Sequence, residues 1–516
     1  MSKKINKKGS LIYLYTHTTK LTTLRSKHSQ SALEYMMTYG WAILIIVIVA
    51  AGLYSLGIFS PTNSAGTTVT GFSSLGSVQA ACSGNQGLLI TLGNSAGAQM
   101  NITKINISSD SGYSNTLNTN ILLTPNQENT IFLSSTSLCS SGSSYSLKVS
   151  VTYTEPGQTF QGPYFSSGTV QGTPSNSISF SVQNMVVLGL SHKEQLNITN
   201  SQSSATPAPF QQMINLSAAN FTSYGAPNLQ NVIFYYPNGQ VIPSWLESNG
   251  SKSSVSSIFW LKLSEGLAAN QKQTIYMGFA PSTSNLFNTN NIGEAPQLSA
   301  AYGQYNDGAN VFNFYDEFSG PTLNPQWVNN GENAPSFSSG LNLSGGITSS
   351  TGSYSIASLT LSTNYAGKNY ISESYLKLYS DADIYDQFGL YILNSSSSTA
   401  YSVAYSILAD ADFSTNLNQV LYGQVQNPQN TITGLSGAVS WATNKFFILG
   451  MQVSGANFLD TVNYSTIIPT HTDYGSSTQY PALGAWRYSI IHVYWYRIRA
   501  YPPNGVMPSV SFGSIQ

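Results

Sequence analysis

An uninterrupted apolar segment near the N-terminus constrains this chain more than any other feature. Residues 41–54 read Trp-Ala-Ile-Leu-Ile-Ile-Val-Ile-Val-Ala-Ala-Gly-Leu-Tyr and contain neither a charge nor a proline. Extended to 31–59, the segment is long enough as a helix to cross a hydrocarbon layer of about 30 Å. Pro61 then ends the helix. The sequence therefore predicts one transmembrane helix.

Positive charge is concentrated in front of this segment. No acidic residue precedes Gln30, whereas the basic residues there are Lys3, Lys4, Lys7, Lys8, Lys20, Arg25 and Lys27. By the positive-inside rule, a basic flank beside a span lies in the cytoplasm. We therefore predict an N-terminus inside the cell and everything after Pro61 outside.

The chain as a whole is poor in charge and rich in aromatic residues. Charged residues make up 8% of it, against about 25% in ordinary soluble proteins. Aromatics at 12% and hydrophobics at 41% exclude charge-driven disorder. A net charge of −1, with no basic patch after residue 30, excludes a nucleic-acid binder. The polar surface must come from Ser, Thr, Asn, Gln and Gly, which is typical of an exposed, often glycosylated protein.

Sequons of the form Asn-x-Ser/Thr support the same interpretation. All of them follow the apolar segment, so glycosylation is open to them, although chance also produces sequons in a chain this rich in Asn, Ser and Thr. They occur at Asn101, Asn106, Asn197, Asn215, Asn220, Asn249, Asn342, Asn394 and Asn463.

The start of the apolar segment carries a specific pattern, Gln30-Ser-Ala-Leu-Glu34-Tyr-Met-Met-Thr-Tyr-Gly-Trp-Ala42. It resembles the class III signal peptide of archaeal type IV pilin-like proteins. The resemblance implies that a prepilin peptidase cuts the Ser29–Gln30 bond, although the family usually has Gly in place of Ser29. It also implies that Glu34 neutralises the freed α-amino group of a neighbouring subunit in a filament, since a desolvated carboxylate requires a cation.

After the apolar segment, short alternating runs predict β-strands. The clearest run points its apolar side chains one way and its polar ones the other: Tyr145, Leu147, Val149, Val151 and Tyr153 alternate with Ser146, Lys148, Ser150 and Thr152. Clusters of Gly, Asn, Ser and Pro separate such runs. We predict a mainly β chain: one N-terminal transmembrane α-helix followed by several β-sandwich domains.

Cys82 and Cys139 are the only cysteines. An even count outside the membrane favours one disulfide, closing a loop of 57 residues, over two free thiols. A zinc site is excluded because two distant cysteines without a nearby histidine do not form one.

A second resemblance covers residues 196–282. A strand, a Pro-Asn-Gly turn and a second strand over 231–247 are followed by two further strands, Ile258–Leu263 and Gln273–Ala280. The set is similar to a β-rich domain of unknown function in archaeal and bacterial surface proteins. Trp245 and Trp260 are interpreted as core residues.

A third resemblance begins at residues 311–327, which are similar to the opening strand and turn of a concanavalin-like, laminin-G-type jelly roll. Its further strands match Tyr370–Tyr379, Phe388–Leu393, Lys445–Val453, Tyr494–Arg499 and Pro508–Gly513. The family often has Asp at the position of Tyr494. The last domain is therefore predicted to be a concanavalin-like jelly roll.

The sequence shows no recognisable catalytic constellation. Retaining glycosidases need two carboxylates about 5–5.5 Å apart, and the Glu-x-Asp-x-x-Glu motif typical of hydrolases with this fold is absent. Asp316 and Glu317 are adjacent, so on a strand they face opposite ways. Glu247 and Glu265 are interpreted as surface charges. We predict that the chain is not an enzyme.

Two sets of side chains are candidates for binding. Aromatic rings that can stack on sugars are Trp441, Trp486, Tyr488 and Tyr494. Oxygen ligands for Ca²⁺ are Asp381, Asp383 and Asp386, but they lack the Gly and final Glu of a calcium loop. A solvated acidic turn is therefore favoured, and no cofactor is predicted.

The predicted organisation has five parts. They are a basic leader over 1–29, a pilin-like transmembrane helix over 30–60, a disulfide-bonded sandwich over 61–190, the β-rich domain over 191–300 and the jelly roll over 301–516. The predicted function is adhesion at the cell surface, with the membrane, a prepilin peptidase, pilin-like subunits and a surface glycan or polysaccharide as partners. The alternatives are an anchored surface protein that does not polymerise and a surface-tethered carbohydrate-active enzyme.

Overall fold

A computed structural model describes residue 40, residues 43–45 and 47–48, all helical, and most of 67–516. The gaps within the last range are 85, 111, 136–137, 140–143, 176–184, 218–219, 222, 249–255, 332, 349–352, 381–386, 394, 397–403, 413–416, 426–435, 439–444, 473–477 and 487–488. The predicted cleavage site Ser29–Gln30, the predicted assembly residue Glu34 and most of 31–59 lie outside the described residues. Among the residues that are described, no helix has both the length and the apolar character of a membrane span.

The first β module is a sandwich, as alternation predicts. Its strands are β1 (Thr68–Gly71), β2 (Leu75–Ser83), β3 (Gly87–Asn94), β4 (Met100–Ser109), β5 (Ser114–Leu123), β6 (Glu128–Ser134), β7 (Tyr145–Thr154), β8 (Tyr164–Gly172) and β9 (Met185–Leu188). One sheet has the order β1-β8-β7-β4-β5 and the other the order β2-β3-β6-β9. In β7 the side chains of Tyr145, Leu147 and Val149 are buried and Lys148 is exposed, because alternate residues face opposite sides of a sheet.

The predicted disulfide joins Cys82 and Cys139, whose Cα atoms are 6.2 Å apart. Cys82 lies near the end of β2, and both cysteines are fully buried in the core of this sandwich. The bridge ties the segment after β6 to the second sheet, and the prediction is confirmed.

The middle module is a second sandwich. Its strands are β10 (His192–Thr199), β11 (Phe210–Ser217), β12 (Val232–Tyr235), β13 (Ser244–Ser248), β14 (Ser256–Leu263), β15 (Lys272–Phe279), β16 (Ile292–Glu294) and β33 (Ser509–Ile515). The sheets have the orders β12-β15-β10-β33 and β11-β14-β13-β16. The strand, the turn and the second strand predicted over 231–247 are present, but β12 and β13 lie in different sheets. Only the Tyr235–Val241 bridge joins the two sides of the turn, and Pro243 then offers no N–H to continue the ladder.

Strand β33 corrects the predicted boundary of the jelly roll. Residues Pro508–Gly513 are predicted to belong to that module, but β33 pairs with β10 of the middle sandwich, with Leu196 opposite Phe512 and Ile198 opposite Val510. The jelly roll is therefore inserted between β16 and β33. The prediction is wrong because an alternating strand shows its own faces but does not show which sheet it joins.

The jelly roll contributes the remaining elements. They are one helical turn, α1 (Gly308–Val311), and the strands β17 (Phe314–Asp316), β18 (Trp327–Asn329), β19 (Ser336–Phe337), β20 (Leu341–Ser344), β21 (Gly346–Thr348), β22 (Ser353–Leu361), β23 (Tyr370–Ser380), β24 (Gln387–Leu393), β25 (Ala404–Asp412), β26 (Leu417–Val425), β27 (Ser436–Ala438), β28 (Phe447–Ser454), β29 (Asn457–Val462), β30 (Ser465–Thr472), β31 (Tyr480–Trp486) and β32 (Ile490–Ala500).

Two large sheets form this module. The front sheet has the order β19-β20-β32-β23-β28-β29-β30, with β17 also on β32, and the back sheet has the order β18-β22-β31-β24-β25-β26-β27, with β21 on β22. Their facing side chains, among them Leu376, Leu390 and Val493, form one hydrophobic core. Part of the outer face of the front sheet is free of the other modules, and the candidate site lies there.

Candidate functional site

Tyr494 is the one predicted glycan-stacking residue whose side chain is described. Trp441 and Tyr488 lie outside the described residues, and only the backbone of Trp486 is described, at the end of β31. Tyr494 is half-buried in β32, next to the core residue Val493. It therefore lies on the outer face of the front sheet.

The register of three strands builds a row of polar side chains on this face. Asn342 of β20 is opposite His492 of β32, and His492 is opposite Lys377 of β23. The Nδ1 atom of His492 is 2.8 Å from the Oδ1 atom of Asn342, so the imidazole donates this hydrogen bond. The ring is thus held in place by its neighbour across the ladder.

Aromatic rings surround this row. The rings of Phe446 and Tyr494 stack with centroids 4.2 Å apart at an angle of 11°. Tyr375 lies 5.0 Å from the ring of Phe446, and His492 meets Tyr494 edge to face at 5.1 Å. Tyr379, 58% exposed, is the most open ring. We call Tyr375, Lys377, Tyr379, Phe446, His492 and Tyr494 the outer aromatic patch.

The electrostatics of the patch are simple. The Nζ atom of Lys377 lies 5.0 Å from the ring centre of Phe446 and 5.5 Å from that of Tyr379, within cation–π range. Partial burial, together with the charge of Lys377, lowers the pKa of His492. The patch contains no carboxylate among its described members, so its chemistry is that of aromatic rings, hydroxyls, one cation and a largely neutral imidazole.

The sequence singles out Tyr494 as a candidate but not the rest of the patch. A signal was available, because Tyr375, Lys377 and Tyr379 recur at every second residue, which places them on one face of β23. No sequence pattern marks Phe446, because its position in the patch depends on the pairing of β28 with β23.

The other half of the front sheet's outer face is covered by the middle module. Trp245 and Trp260 of that module are fully buried against Trp495 and Phe312. Their interpretation as core residues is correct, although the core they join lies between two modules. Arg497 of β32 is enclosed here, with its guanidinium carbon 4.5 Å from the ring centre of Trp495 and 4.6 Å from that of Trp260.

Buried carboxylates neutralise this arginine. The Nε atom of Arg497 donates to Glu373 over 2.7 Å, and its Nη2 atom forms an ion pair with Glu247 at 2.8 Å. Arg499 donates to the second oxygen of Glu373 over 2.7 Å. Burial acts to raise the pKa of Glu373, but the two arginines outweigh it and lower that pKa to about 2. We call Glu247, Glu373, Arg497 and Arg499 the buried ion cluster.

The buried ion cluster corrects one interpretation of the sequence. Glu247 is 1% exposed and also accepts a hydrogen bond of 2.7 Å from Nε1 of Trp260, so it is not a surface charge. Glu265 is exposed, as expected. Because the side chains of the cluster are shielded from solvent and paired with one another, Glu247 and Glu373 do not present a substrate-accessible pair of carboxylates.

Other acids near this interface are buried without a cation. Burial raises the pKa of Asp316 to about 6, although its carboxylate accepts hydrogen bonds from Phe318 N and, over 2.8 Å, from Nε1 of Trp327. Burial raises the pKa of Glu294 to about 6 as well, against the effect of a hydrogen bond of 2.6 Å from Ser299. Both carboxyl groups therefore keep their protons to a higher pH in the folded protein than in the unfolded chain.

Glu294→Gln is expected to flatten the pH dependence of stability between about pH 4 and 7. The folded protein holds the proton of Glu294 more tightly than the unfolded chain, so this stabilisation is complete below the unfolded pKa of about 4.3 and is lost as the pH rises through about 6. Ionisation of Glu294 should lower the free energy of unfolding by about 2 kcal/mol across that range. Urea unfolding at a series of pH values measures it, with the exposed Glu265→Gln as control. An unchanged slope in Glu294→Gln would contradict the expectation.

The predicted calcium ligands Asp381, Asp383 and Asp386 lie outside the described residues. Elsewhere, within the part of the chain that the structure describes, no three His, Cys, Asp or Glu side chains come together as a metal site.

Comparisons with known proteins give distant relatives. No protein-family model matches the chain. It is 28% identical over 362 residues to a protein of Sulfolobus islandicus rod-shaped virus 1 named "Uncharacterized protein 562", covering 61% of this chain and 58% of that protein. The chain therefore spans less than two thirds of the curated relative's length.

Solved structures with a related fold are also distant in sequence. The carbohydrate-binding module CBM66 from Bacillus subtilis is 12% identical, with a TM-score of 0.24, covering 34% of this chain and 95% of that one. The β-glucanase of Bacillus licheniformis is 11% identical, with a TM-score of 0.28, covering 36% and 97%. The chain is mainly β with jelly-roll-like neighbours; likenesses of this strength carry no assignment of activity.

The prediction that the chain is not an enzyme is corrected by this comparison. Its structural neighbours include a β-glucanase, so a catalytic member stands beside a binding module among the related folds. A fold that hosts both roles does not decide between them, and the missing hydrolase motif is not sufficient ground to exclude catalysis.

Proposed function

We propose that the protein handles carbohydrate at a surface and that the outer aromatic patch is where it binds the sugar chain. The observation that carries the proposal is the open half of the front sheet, where Lys377 lies close both to the exposed ring of Tyr379 and to the Phe446–Tyr494 stack. The C–H faces of sugar rings are apolar and pack on aromatic rings, while the surrounding hydroxyls need hydrogen-bond partners. Asn342 and Lys377 supply such partners beside the rings, and the ring of His492 holds Asn342 in place.

The fixed geometry of the patch favours binding. Strand pairing and ring stacking hold most of the side chains before a ligand arrives, and Tyr302 donates a 2.7 Å hydrogen bond to the backbone carbonyl of Tyr494. Ordered contact groups lose less conformational entropy on binding than mobile ones. The chemistry suits a polysaccharide that lies across the sheet and contacts several rings.

Tyr379→Ala and Tyr494→Ala are each expected to weaken polysaccharide binding about tenfold, since each removes an aromatic contact of about 1–1.5 kcal/mol. Affinity electrophoresis and calorimetry on soluble β-glucan, mannan and fructan would measure the effect. Phe160→Ala is the matched control, because Phe160 is an 80% exposed aromatic residue of the first sandwich. The assignment would be contradicted if the patch variants bound every polysaccharide that the wild type binds with the same affinity as the wild type.

Hydrolysis is tested on the same samples. Release of reducing sugar from a bound polymer would assign a carbohydrate-active enzyme, whereas binding without release would assign a binding protein. Catalytic carboxylates would then be sought by substitution among the acids of the back sheet and its loops as well as in the front sheet.

The placement of the protein is part of the proposal. We propose that the β modules lie outside the cell behind an N-terminal anchor, in a protein that does not polymerise. The pilin-like cleavage after Ser29 and the filament role of Glu34 stay predictions. The intact mass of the mature protein tests the cleavage: loss of residues 1–29 would support it, and a retained Met1 would contradict it.

A further inference from the structure

We propose that a second, independent saccharide site lies in the cleft where the middle sandwich meets one end of the jelly roll, and that it takes a short neutral sugar unit. The cleft has a volume of about 510 Å³, within the range of roughly 300–1,000 Å³ common for small-molecule sites. Its polar lining comes from both modules: Ser204 and Thr206 from the middle sandwich, Asn369 and Ser454 from the jelly roll, and Tyr501 and Asn504 from the connection between β32 and β33.

The lining chemistry selects the class of ligand. The cleft walls carry hydroxyl and carboxamide groups, prolines and one aromatic ring, that of Tyr501, and no charged side chain among the residues that line it. A charged ligand would lose hydration there without gaining a counter-charge. A sugar unit matches the walls, because its hydroxyls pair with amides and hydroxyls while its C–H face packs on an aromatic ring.

The walls are preformed by hydrogen bonds that leave donors for a ligand. The Oγ1 atom of Thr206 accepts from Leu267 N over 2.7 Å and donates to the carbonyl of Pro207 over 3.1 Å. Asn369 uses Oδ1 to accept from Gly455 N over 3.0 Å, and its Nδ2 group makes no hydrogen bond to the residues that the structure describes. This amide is therefore fixed at one end and able to donate at the other.

Assembly of the two modules creates the cleft. Asn504 donates from Nδ2 to Oε1 of Gln202 over 3.1 Å, which joins the connection after β32 to a loop of the middle sandwich. Prolines at 207, 502 and 503 restrict the backbone on both sides. The cleft shares no residue with the outer aromatic patch, so this inference goes beyond the proposed function.

The test uses the full chain carrying Tyr379→Ala, which weakens binding at the patch, and four neutral tetrasaccharides: maltotetraose, cellotetraose, laminaritetraose and mannotetraose. Saturation-transfer NMR and calorimetry measure binding, with tetragalacturonate as the charged comparison. At least one neutral probe is expected to bind, and adding Tyr501→Ala or Asn369→Ala should weaken that binding about tenfold. The acidic probe should bind more weakly.

Ser454→Trp is the control for a folding defect in the alanine variants, because its large side chain fills the cleft and every other lining residue is kept. It should abolish the same binding while leaving the melting temperature of the protein unchanged. The proposal is overturned if no neutral probe binds, if the cleft variants bind as tightly as the Tyr379→Ala parent, or if tetragalacturonate is preferred. The proposed function fails on a different result: unchanged polysaccharide binding in the Tyr379→Ala variant alone.

Discussion

Arg497→Met should lower the free energy of unfolding by about 3–5 kcal/mol, because it leaves Glu247 and part of Glu373 buried without their cation. The long apolar side chain of Met fills most of the space between Trp260 and Trp495, so the loss reports charge rather than volume. Contacts of the guanidinium with those rings disappear as well. Unfolding in guanidinium chloride, followed by tryptophan fluorescence, measures the change in the free energy of unfolding, because the tryptophans lie at the interface between the two modules.

A compensated variant separates charge from packing. Arg497→Met combined with Glu247→Gln removes the uncompensated carboxylate, while Glu373 keeps its ion pair with Arg499, so this variant should recover part of the lost stability. Lys148→Met, on an exposed position of β7, is the control for loss of a cation at the surface. A loss below about 1 kcal/mol in Arg497→Met, the size typical of surface ion pairs, would contradict the role assigned to the cluster.

Removing the disulfide is expected to cost the first sandwich about 4 kcal/mol. A bridge between Cys82 and Cys139 closes a loop of 57 residues, and the chain-entropy relation gives this magnitude for such a loop. Cys82→Ala with Cys139→Ala also removes two fully buried sulfur atoms from the core. Thermal unfolding of the double variant, compared with the wild type with and without reductant, measures the loss.

The comparison of those samples distinguishes the bridge from the packing of its sulfur atoms. Reduction of the wild type should reproduce most of the destabilisation seen in the double alanine variant, and reductant should leave the variant unchanged. If reduction leaves the melting temperature of the wild type unaltered, the bridge does not stabilise the sandwich. The expectation would then be wrong.

Local patterns in the sequence predict local structure well here. Alternation over residues 145–153 defines β7, its buried face and its exposed Lys148, because a strand displays its two faces directly in the order of its residues. The paired cysteines likewise predict their bridge. Tyr494 lies on the outer face of the front sheet, and its role in stacking on a sugar stays a prediction.

Long-range features are not readable in the same way. Glu373 and Arg497 are separated by 124 residues, and charged residues are ordinarily assigned to the surface. Only the docking of two modules buries both of them. The sequence alone therefore predicts a solvent-exposed Glu247. It also places β33 in the wrong module, because pairing partners depend on topology rather than on the composition of a strand.

The return of β33 to β10 sets an order of events during synthesis. The middle sandwich lacks one edge of its sheet until Ser509–Ile515 leave the ribosome, long after β16 has been made. At about 5–20 residues per second, that interval lasts roughly 10–40 s. During it, the open edge of β10 is exposed to neighbouring nascent chains, so production of the protein should depend on how well the cell shields that edge.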